Sequence, residues 1–495
     1  MKDHKFISRD KPIVTIILLG AFFIAYELSV LSLKMDSPIH FTVVTFVFIA
    51  LLSYLFWKRA LNLLMVWILF VGVFRKWLLP GLAEIIFLFS YIILAGVYIK
   101  FFTERLLKRD AITIKHPVNI FILIQIIWAV ACMLNPQLPN PLVGVLGVII
   151  HFFYIPMLYI IPNAFNTKEE LLKVLRIFIF FSIPLLILGI IQFFSPADSL
   201  INKYVSEVNP VDIALVGNFP RITSTFAYLS GYATYLSVLI LLIVYLLSLR
   251  KDSIVFNGFL FILLGFAILN IMMTGSRGPT IFTFICIIFY MFFTGIFNAK
   301  FFKKSFFRFI IAGLFLLFLV FYTPIGQKVY GAFMERTTGS EDLLPRLIGT
   351  YTAPFIFAQI VGVYGFGIGS TYPGSEIIGG NINRLQVITG GFEEEPERII
   401  VEMGIIGLAV AFLVRILFIY YFWRLYRTLK DEDLKSLALI SMLFQIQFLG
   451  LQSLFFNHTT LIFYWFILSF LFLLPKLDKK KEKPEDEGDR KIFNY

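Results

Sequence analysis

Charge is what this sequence has least of. Only 15% of its 495 residues are Asp, Glu, Lys or Arg, where a soluble domain carries about a quarter, so water-facing domains have almost no room. The two cysteines, Cys132 and Cys286, both lie inside apolar runs, which excludes a disulfide framework and makes them packing residues. Five histidines, His4, His40, His116, His151 and His458, stand at no metal-ligand spacing, so no metal site is expected. No GxxxxGKS or GxxxxGKT loop is present, and nothing would cradle a nucleotide triphosphate; no cofactor is expected. The acidic run Asp431 to Asp433 sits in a loop too short for a nucleotide-sugar domain and reads as solvated charge. No internal repeat suggests the symmetric halves of a transporter.

What the sequence has in abundance is apolar length. Hydrophobic residues make up 59% of the chain, and a spanning helix needs about 20 of them in a row. Runs fall at about 13–33, 39–56, 61–74, 81–99, 117–134, 142–161, 174–194, 227–248, 254–273, 279–297, 309–323, 398–421, 436–452 and 459–474. The expected fold class is therefore an all-α polytopic membrane protein of about 14 (12–14) transmembrane helices with a large outer-face loop containing surface helices. The basic start "MKDHKFISRDK" precedes the first run without a small-residue cleavage site and reads as an anchor. With that start inside, the loops holding Lys58 and Arg59, Arg105 to Lys115, Arg250 and Lys251, Lys300 to Arg308, Arg424 to Lys435 and the basic tail all face the cytoplasm, as the positive-inside rule requires. The net charge of +12 is then topological and calls for no nucleic-acid partner. The organisation expected is N-terminal spans and a first outer loop over 1–226, central spans over 227–323, a large outer loop over 324–397, C-terminal spans over 398–475 and a cytoplasmic tail over 476–495. Within the large loop, Leu344 to Gly367 is apolar enough for a helix lying on the membrane, followed by a glycine-rich turn region.

Arginines on the expected outer side run against that charge bias. Arg221 stands just before a span, Arg277 in the tight turn "MMTGSRGPTI", Arg346 at the start of the surface helix, and Arg75 with Lys76 in "FRKWLLP". Guanidinium forks bind phosphate oxygens bidentately and stay charged when partly desolvated, which suits a diphosphate at a membrane surface. Arg75, Lys76 and Trp77 serve equally well as interfacial anchors, and Arg277 as a turn staple.

Four stretches resemble motifs of the O-antigen ligase and O-antigen polymerase superfamily: "RITSTFAYLSGYATYL", "MMTGSRGPTI", "VGVYGFGIGS" and "IIVEMGIIGLAVAFL", the last with its Glu-x-Gly-x-x-Gly opening. The resemblance runs from about Pro220 to Phe412. It implies a metal-independent glycosyltransferase of a bacterial cytoplasmic (inner) membrane, both termini cytoplasmic. Such an enzyme passes a glycan from a polyprenyl-diphosphate-linked donor to a hydroxyl of a glycan, lipid or protein acceptor, with inversion at the anomeric carbon. Arg221 and Arg277 would stabilise the diphosphate leaving group, and Arg346, Arg75, Lys76, Glu394 and Arg398 would contact substrate. Membrane lipids and other polysaccharide-assembly proteins are the implied partners.

The stretch "GFEEEPERIIVEMGIIG" raises a separate question. In the resembling family a histidine commonly stands nine residues before the motif glutamate, here Glu402, and that count lands on Glu393. Adjacent acids raise one another's pKa, so Glu393 is the expected general base. Glu395 and Glu397 fit a helix start behind Pro396, complementing the dipole, and Arg398 and Glu402 are spaced to pair along one helix face. Two other readings stay open: a lipid-linked glycan flippase using Glu27, Glu84, His151, Arg176 and Arg415 as intramembrane charges, and a non-catalytic partner of a polysaccharide synthase.

Overall fold

The computed structural model describes residues 38–205, 214–249, 253–297, 299–338, 343–392, 394–449, 453–455 and 457–481. The first expected span, the charged tail and Glu393 lie outside them. The chain divides into two compact units, one formed by the chain up to Ile112 together with Val205–Glu207 and Thr225–Ala227, the other by Thr113–Tyr204, Val208–Ser224 and everything from Tyr228 onward.

The first unit is a helical hairpin with one irregular joint. Helices α1 (Pro38–Leu55) and α2 (Trp57–Val73) lead into a single wide π turn, Phe74–Leu78, and then to α3 (Ala83–Lys108). Aromatic packing of Trp67 and Phe46 on Phe89 holds the three together. The π turn, a feature that inserts one residue into the helical ladder, buries Lys76 and lets Arg75 donate from Nε to the Ala83 carbonyl at 3.0 Å while lying over Phe87.

The second unit is a bundle around one central helix. In chain order it comprises α4 (Val118–Met133), α5 (Pro141–Phe152), α6 (Met157–Ala164), α7 (Lys168–Phe180), α8 (Ser182–Phe194), a two-residue antiparallel ribbon of β1 (Leu215–Val216) and β2 (Phe219–Pro220), α9 (Leu229–Ser248), α10 (Ile254–Met273), α11 (Arg277–Phe297), α12 (Ala299–Tyr322), α13 (Pro324–Thr338), α14 (Leu343–Val361), α15 (Ile382–Thr389), α16 (Glu395–Thr428), α17 (Glu432–Ile446), α18 (His458–Leu468) and α19 (Phe470–Lys481). Helix α9 is predominantly apolar all round and buried at every position but Ser230, as a helix without an amphipathic face must be; α10, α11, α17 and α18 pack against it.

Among the described residues nine helices are long and apolar enough to cross a membrane, or ten if a bent pair counts as one span. This supports a multi-pass all-α membrane protein and does not reach the expected fourteen. The differences have identifiable causes. The run at 13–33 lies outside the described residues. The run at 39–56 gives α1, of which only the stretch Thr42–Leu55 counts as apolar helix, that at 117–134 gives the 16-residue α4, and that at 436–452 gives α17, which ends at Ile446. The run at 309–323 ends in an 82° bend where α13 begins at Pro324; proline cannot continue the preceding ladder but starts a new helix readily. The stretch expected as one large loop, 324–397, is therefore mostly helical, with α13, α14 and α15 inside it. The expected surface helix is α14; α13 was not foreseen.

Turns expected on the same side of the membrane meet in space. Lys168 at the start of α7 bonds Asp431 at 2.9 Å and Asp433 at 2.5 Å, and Asp478 accepts from the amides of Lys430 and Asp431. Arg221, just after β2, the α10–α11 turn and the end of α13 gather elsewhere, as described next.

Candidate functional site: an arginine-lined turn and a broken helix

The α10–α11 turn is built to admit guanidinium groups. Gly275 adopts φ +62°, and a Cβ there would sit 3.1 Å from Arg221 Nε and 3.3 Å from Arg336 Cδ, so glycine supplies both the turn and the space. Arg221 donates from Nε to the Thr274 carbonyl at 2.7 Å and from Nη2 to Ser276 Oγ at 3.2 Å; Arg336, near the end of α13, donates from Nε to the Gly275 carbonyl at 3.1 Å. Arg277, the first residue of α11, is buried. Burial, and then the charge of Arg336, push the Arg221 guanidinium down to about 10, with Arg277 adding to the same effect and Tyr204 and Tyr228 opposing it. Burial also pushes the Tyr204 phenol up to about 12, so its hydroxyl stays protonated and donates to the Arg221 carbonyl at 2.9 Å. The nearby acid Glu335 lies toward Gly217. Three like charges concentrated around one turn repel one another, and an anion placed among them would relieve that repulsion.

Of the residues named from sequence, Arg221 and Arg277 are thus brought together. Arg336 was passed over, although it carries the same signal as Arg346: an arginine in the stretch assigned to the outer side. Arg346 belongs to α14, with its side chain outside the described residues. Arg75 and Lys76 belong to the first unit.

The glutamate stretch organises a second polar region. Glu394 is the N-cap of α16, its side chain bonded to the amide of Glu397 while Glu397 accepts from the Glu394 amide at 3.1 Å, a reciprocal capping box with Pro396 in the first turn. Glu397 therefore acts as expected at the helix start. Glu395 does not: it is buried, ion-paired with Arg415 and bonded to the Leu454 amide. Two residues twenty positions apart in a straight helix would be about 30 Å apart. They meet because α16 is broken at Gly404, which adopts φ +65°, ψ −171° and where a Cβ would fall 1.9 Å from the Val363 carbonyl oxygen. The carbonyls freed by the break are recaptured: Val401 and Glu402 accept from the amides of Phe366 and Gly367 at 2.7 and 3.1 Å, and Met403 from Trp128 Nε1 at 2.9 Å.

Just before the break, Glu402 pairs with His151 of α5 rather than with Arg398. Its Oε2 accepts from His151 Nε2 at 3.0 Å, and its Oε1 accepts from the Thr371 amide and hydroxyl at 3.1 and 2.6 Å. Both side chains are fully enclosed, at 1% and 0% exposure. Arg398 donates to the Thr371 carbonyl at 3.2 Å and lies over Phe392. His151 stacks on Phe455, which also carries the Arg415 guanidinium on its ring. Of the intramembrane charges considered for a transporter, His151 and Arg415 are therefore buried and paired, whereas Arg176 is exposed near Phe256; Glu27 and the side chain of Glu84 lie outside the described residues. No group of three or more metal-ligating side chains occurs among the described residues.

No protein-family model matches the chain, and no curated protein matches it.

Proposed function

We propose that this chain is a glycan transferase of the bacterial cytoplasmic membrane that uses a polyprenyl-diphosphate-linked glycan on the outer face, as a polysaccharide polymerase or ligase. The observation that carries this reading is the convergence of Arg221, Arg277 and Arg336 on the Gly275 turn. In the reaction, the acceptor hydroxyl attacks the anomeric carbon, the bond to the diphosphate oxygen breaks with inversion, and the hydroxyl proton passes to a base. Guanidinium groups held in advance where charge develops on the departing diphosphate lower the barrier without reorganising. Glu393 is the proposed base, with Glu394, Arg398 and Arg346 on the substrate side; Lys76, buried in the first unit, is not part of this proposal.

The deciding experiment is transfer by the purified protein from a polyprenyl-diphosphate oligosaccharide to an added acceptor, read as product chain length. Near-normal products from Arg221→Ala would sink the arginine assignment. Retention by both Glu393→Gln and Glu394→Gln would remove the base from this cluster. Sidedness has its own check: an impermeant thiol reagent should label Glu376→Cys but not Thr428→Cys in intact cells, both positions being exposed.

A second reading, a lipid-linked glycan flippase, is favoured by the buried His151–Glu402 and Arg415–Glu395 pairs beside a broken helix, because paired intramembrane charges at helix breaks line many transport paths. Movement of a fluorescent lipid-linked glycan across proteoliposomes without any glycan transfer would select it.

A further inference from the structure

The helical arm that runs from Glu395 to the residue before the Gly404 break, 395–403, is nine residues long, and each end is held by a buried carboxylate: Glu395 on Arg415, Glu402 on His151. The Glu402 end holds a third party. Its second oxygen takes both the amide and the hydroxyl of Thr371, whose carbonyl is taken by Arg398 one turn earlier on the arm. The last residue of the segment Gly362 to Thr371 is thus gripped from both sides, and the same segment supplies the Phe366 and Gly367 amides that recapture the carbonyls at the break.

We propose that His151 and Glu402 form a positioning pair, a latch that fixes the glycine-rich segment and Arg398 against the broken helix and thereby places the start of α16, with its glutamates, beside the acceptor. Its functional consequence rests on the transferase reading; its geometry does not. As a carboxylate, already taking the Thr371 amide and hydroxyl, Glu402 accepts, and His151 Nε2 is then the donor. The opposite nitrogen, Nδ1, is buried with no hydrogen-bond partner among the described residues, and the ring is stacked on Phe455 with centroids 4.0 Å apart. A group so enclosed cannot meet an acceptor hydroxyl while the arm is in place. Its chemistry is that of a fixed donor to a buried carboxylate, and removing one member of such a pair leaves an uncompensated charge.

The imidazole's two nitrogens give a direct test. Glutamine places an N–H near the position of Nε2, asparagine near that of Nδ1. If His151 serves as a donor to Glu402, His151→Gln preserves the latch, whereas His151→Asn and His151→Ala release it. The reporter is Ser370→Cys, buried beside Thr371, in full-length protein in membranes with Cys132 and Cys286 replaced by alanine. The reference is Glu376→Cys, which is exposed and shows that each variant is folded and inserted to the same extent.

With both His151 and Glu402 intact, an impermeant maleimide should leave residue 370 unmodified while residue 376 labels fully. His151→Ala, His151→Asn and Glu402→Ala should label residue 370 at least about tenfold faster, as a lost buried partner lowers the cost of local opening; His151→Gln should match the parent. Thr371→Val, which deletes only one of the two Thr371 bonds to Glu402 and is expected to fold, should fall between. Protection of residue 370 in the alanine variants overturns the latch, as does labelling of His151→Gln at the alanine rate. Loss of glycan transfer in His151→Gln while residue 370 stays protected would show that the ring acts directly, and also overturns the proposal. Absence of transfer in every form, the parent included, would instead refute the transferase reading and leave the labelling result to stand by itself.

Discussion

The two polar regions of the second unit use charge in opposite ways. Around the α10–α11 turn, Arg221, Arg277 and Arg336 crowd one another, and the strain is visible in the Arg221 guanidinium, lowered to about 10 by burial and by its cationic neighbours. Around the broken helix, every charge that can be followed ends on an opposite charge or a backbone group: Glu402 on His151 and Thr371, Glu395 on Arg415 and Leu454, Arg415 also on the Phe448 carbonyl. Like charges crowded around one turn repel one another, and an anion placed among them relieves that repulsion. Balanced buried charge does the reverse, fixing a geometry that only the removal of a partner disturbs. The first arrangement suits a place where something binds, the second a place where the chain is held.

The comparison breaks most sharply at the arginines. Arg221→Ala and Arg277→Ala should each lower transfer by at least about 100-fold, the usual cost of losing one preorganised donor to a developing negative charge. Lysine should rescue Arg221 poorly, because the contacts to Thr274 and Ser276 use separate nitrogens of one rigid fork. Product chain length in a reconstituted assay measures both. Equal losses from Glu402→Gln, with residue 370 still protected, would erase the distinction between the two regions.

Next in size is the break itself. Gly404→Ala puts a methyl group 1.9 Å from the Val363 carbonyl oxygen on a backbone with φ +65°. The neighbour is main chain and cannot swing aside, so a loss of about 2–4 kcal/mol is expected from strain and overpacking together. It should appear as a lowered melting midpoint of the purified protein. An unchanged midpoint would mean that the break is not held by the contact with Val363.

The arginine turn also makes a titration prediction. Arg221 has a folded pKa of about 10, below its ordinary 12.5, so the unfolded chain holds more protons between those values and stability rises with pH across that window. Below it, the buried charge is a standing penalty that a bound anion removes. Inorganic diphosphate should therefore raise the melting midpoint at neutral pH, by the equivalent of about 2.7 kcal/mol at one hundred times its dissociation constant. The part of the effect absent from Arg221→Ala should fade as pH passes about 10. A shift identical in Arg221→Ala would place the anion elsewhere.

How much of this was legible depends on how far apart the partners are in sequence. Apolar runs identified nine helices long enough to span, and a turn near "TGSRG" was recognisable because the apolar pattern breaks there, although the turn itself is Thr274–Gly275 and Arg277 and Gly278 already open α11. The pairing of Glu402 was not, because its partner His151 lies 251 positions away and nothing local distinguishes a histidine that meets a carboxylate from one that fills a core. Arg398, four residues from Glu402, was the partner that local spacing favoured. The same holds for Glu395, where a helix-dipole role was the local expectation and Arg415 the tertiary answer. Gly404 sits in an unbroken apolar run, so the pattern predicts one straight helix; only the close approach of Val363 shows why the chain turns there. Arg336, by contrast, was readable by the charge bias that singled out Arg346.

The smallest effect expected is at the helix start, where charge is neither crowded nor buried in a pair. Glu397 accepts from the Glu394 amide while Glu394 caps the amide of Glu397. Glutamine at the same position keeps an acceptor oxygen at the same reach, so the reciprocal bonds survive Glu397→Gln and only the interaction of a negative charge with the helix N-terminus is lost. That term is about 0.3–1 kcal/mol, too little to move the arm, which is fixed at its two ends by Arg415 and His151. Glu397→Gln should accordingly lower the melting midpoint by no more than a few degrees, leave residue 370 protected, and keep product chain length within about twofold of the parent. Glu397→Ala, which removes the acceptor as well, should cost about 1 kcal/mol more. If Glu397→Gln abolishes transfer while the fold is intact, this carboxylate touches the reacting atoms, and the base belongs four residues further along the stretch than the Glu393 assignment puts it.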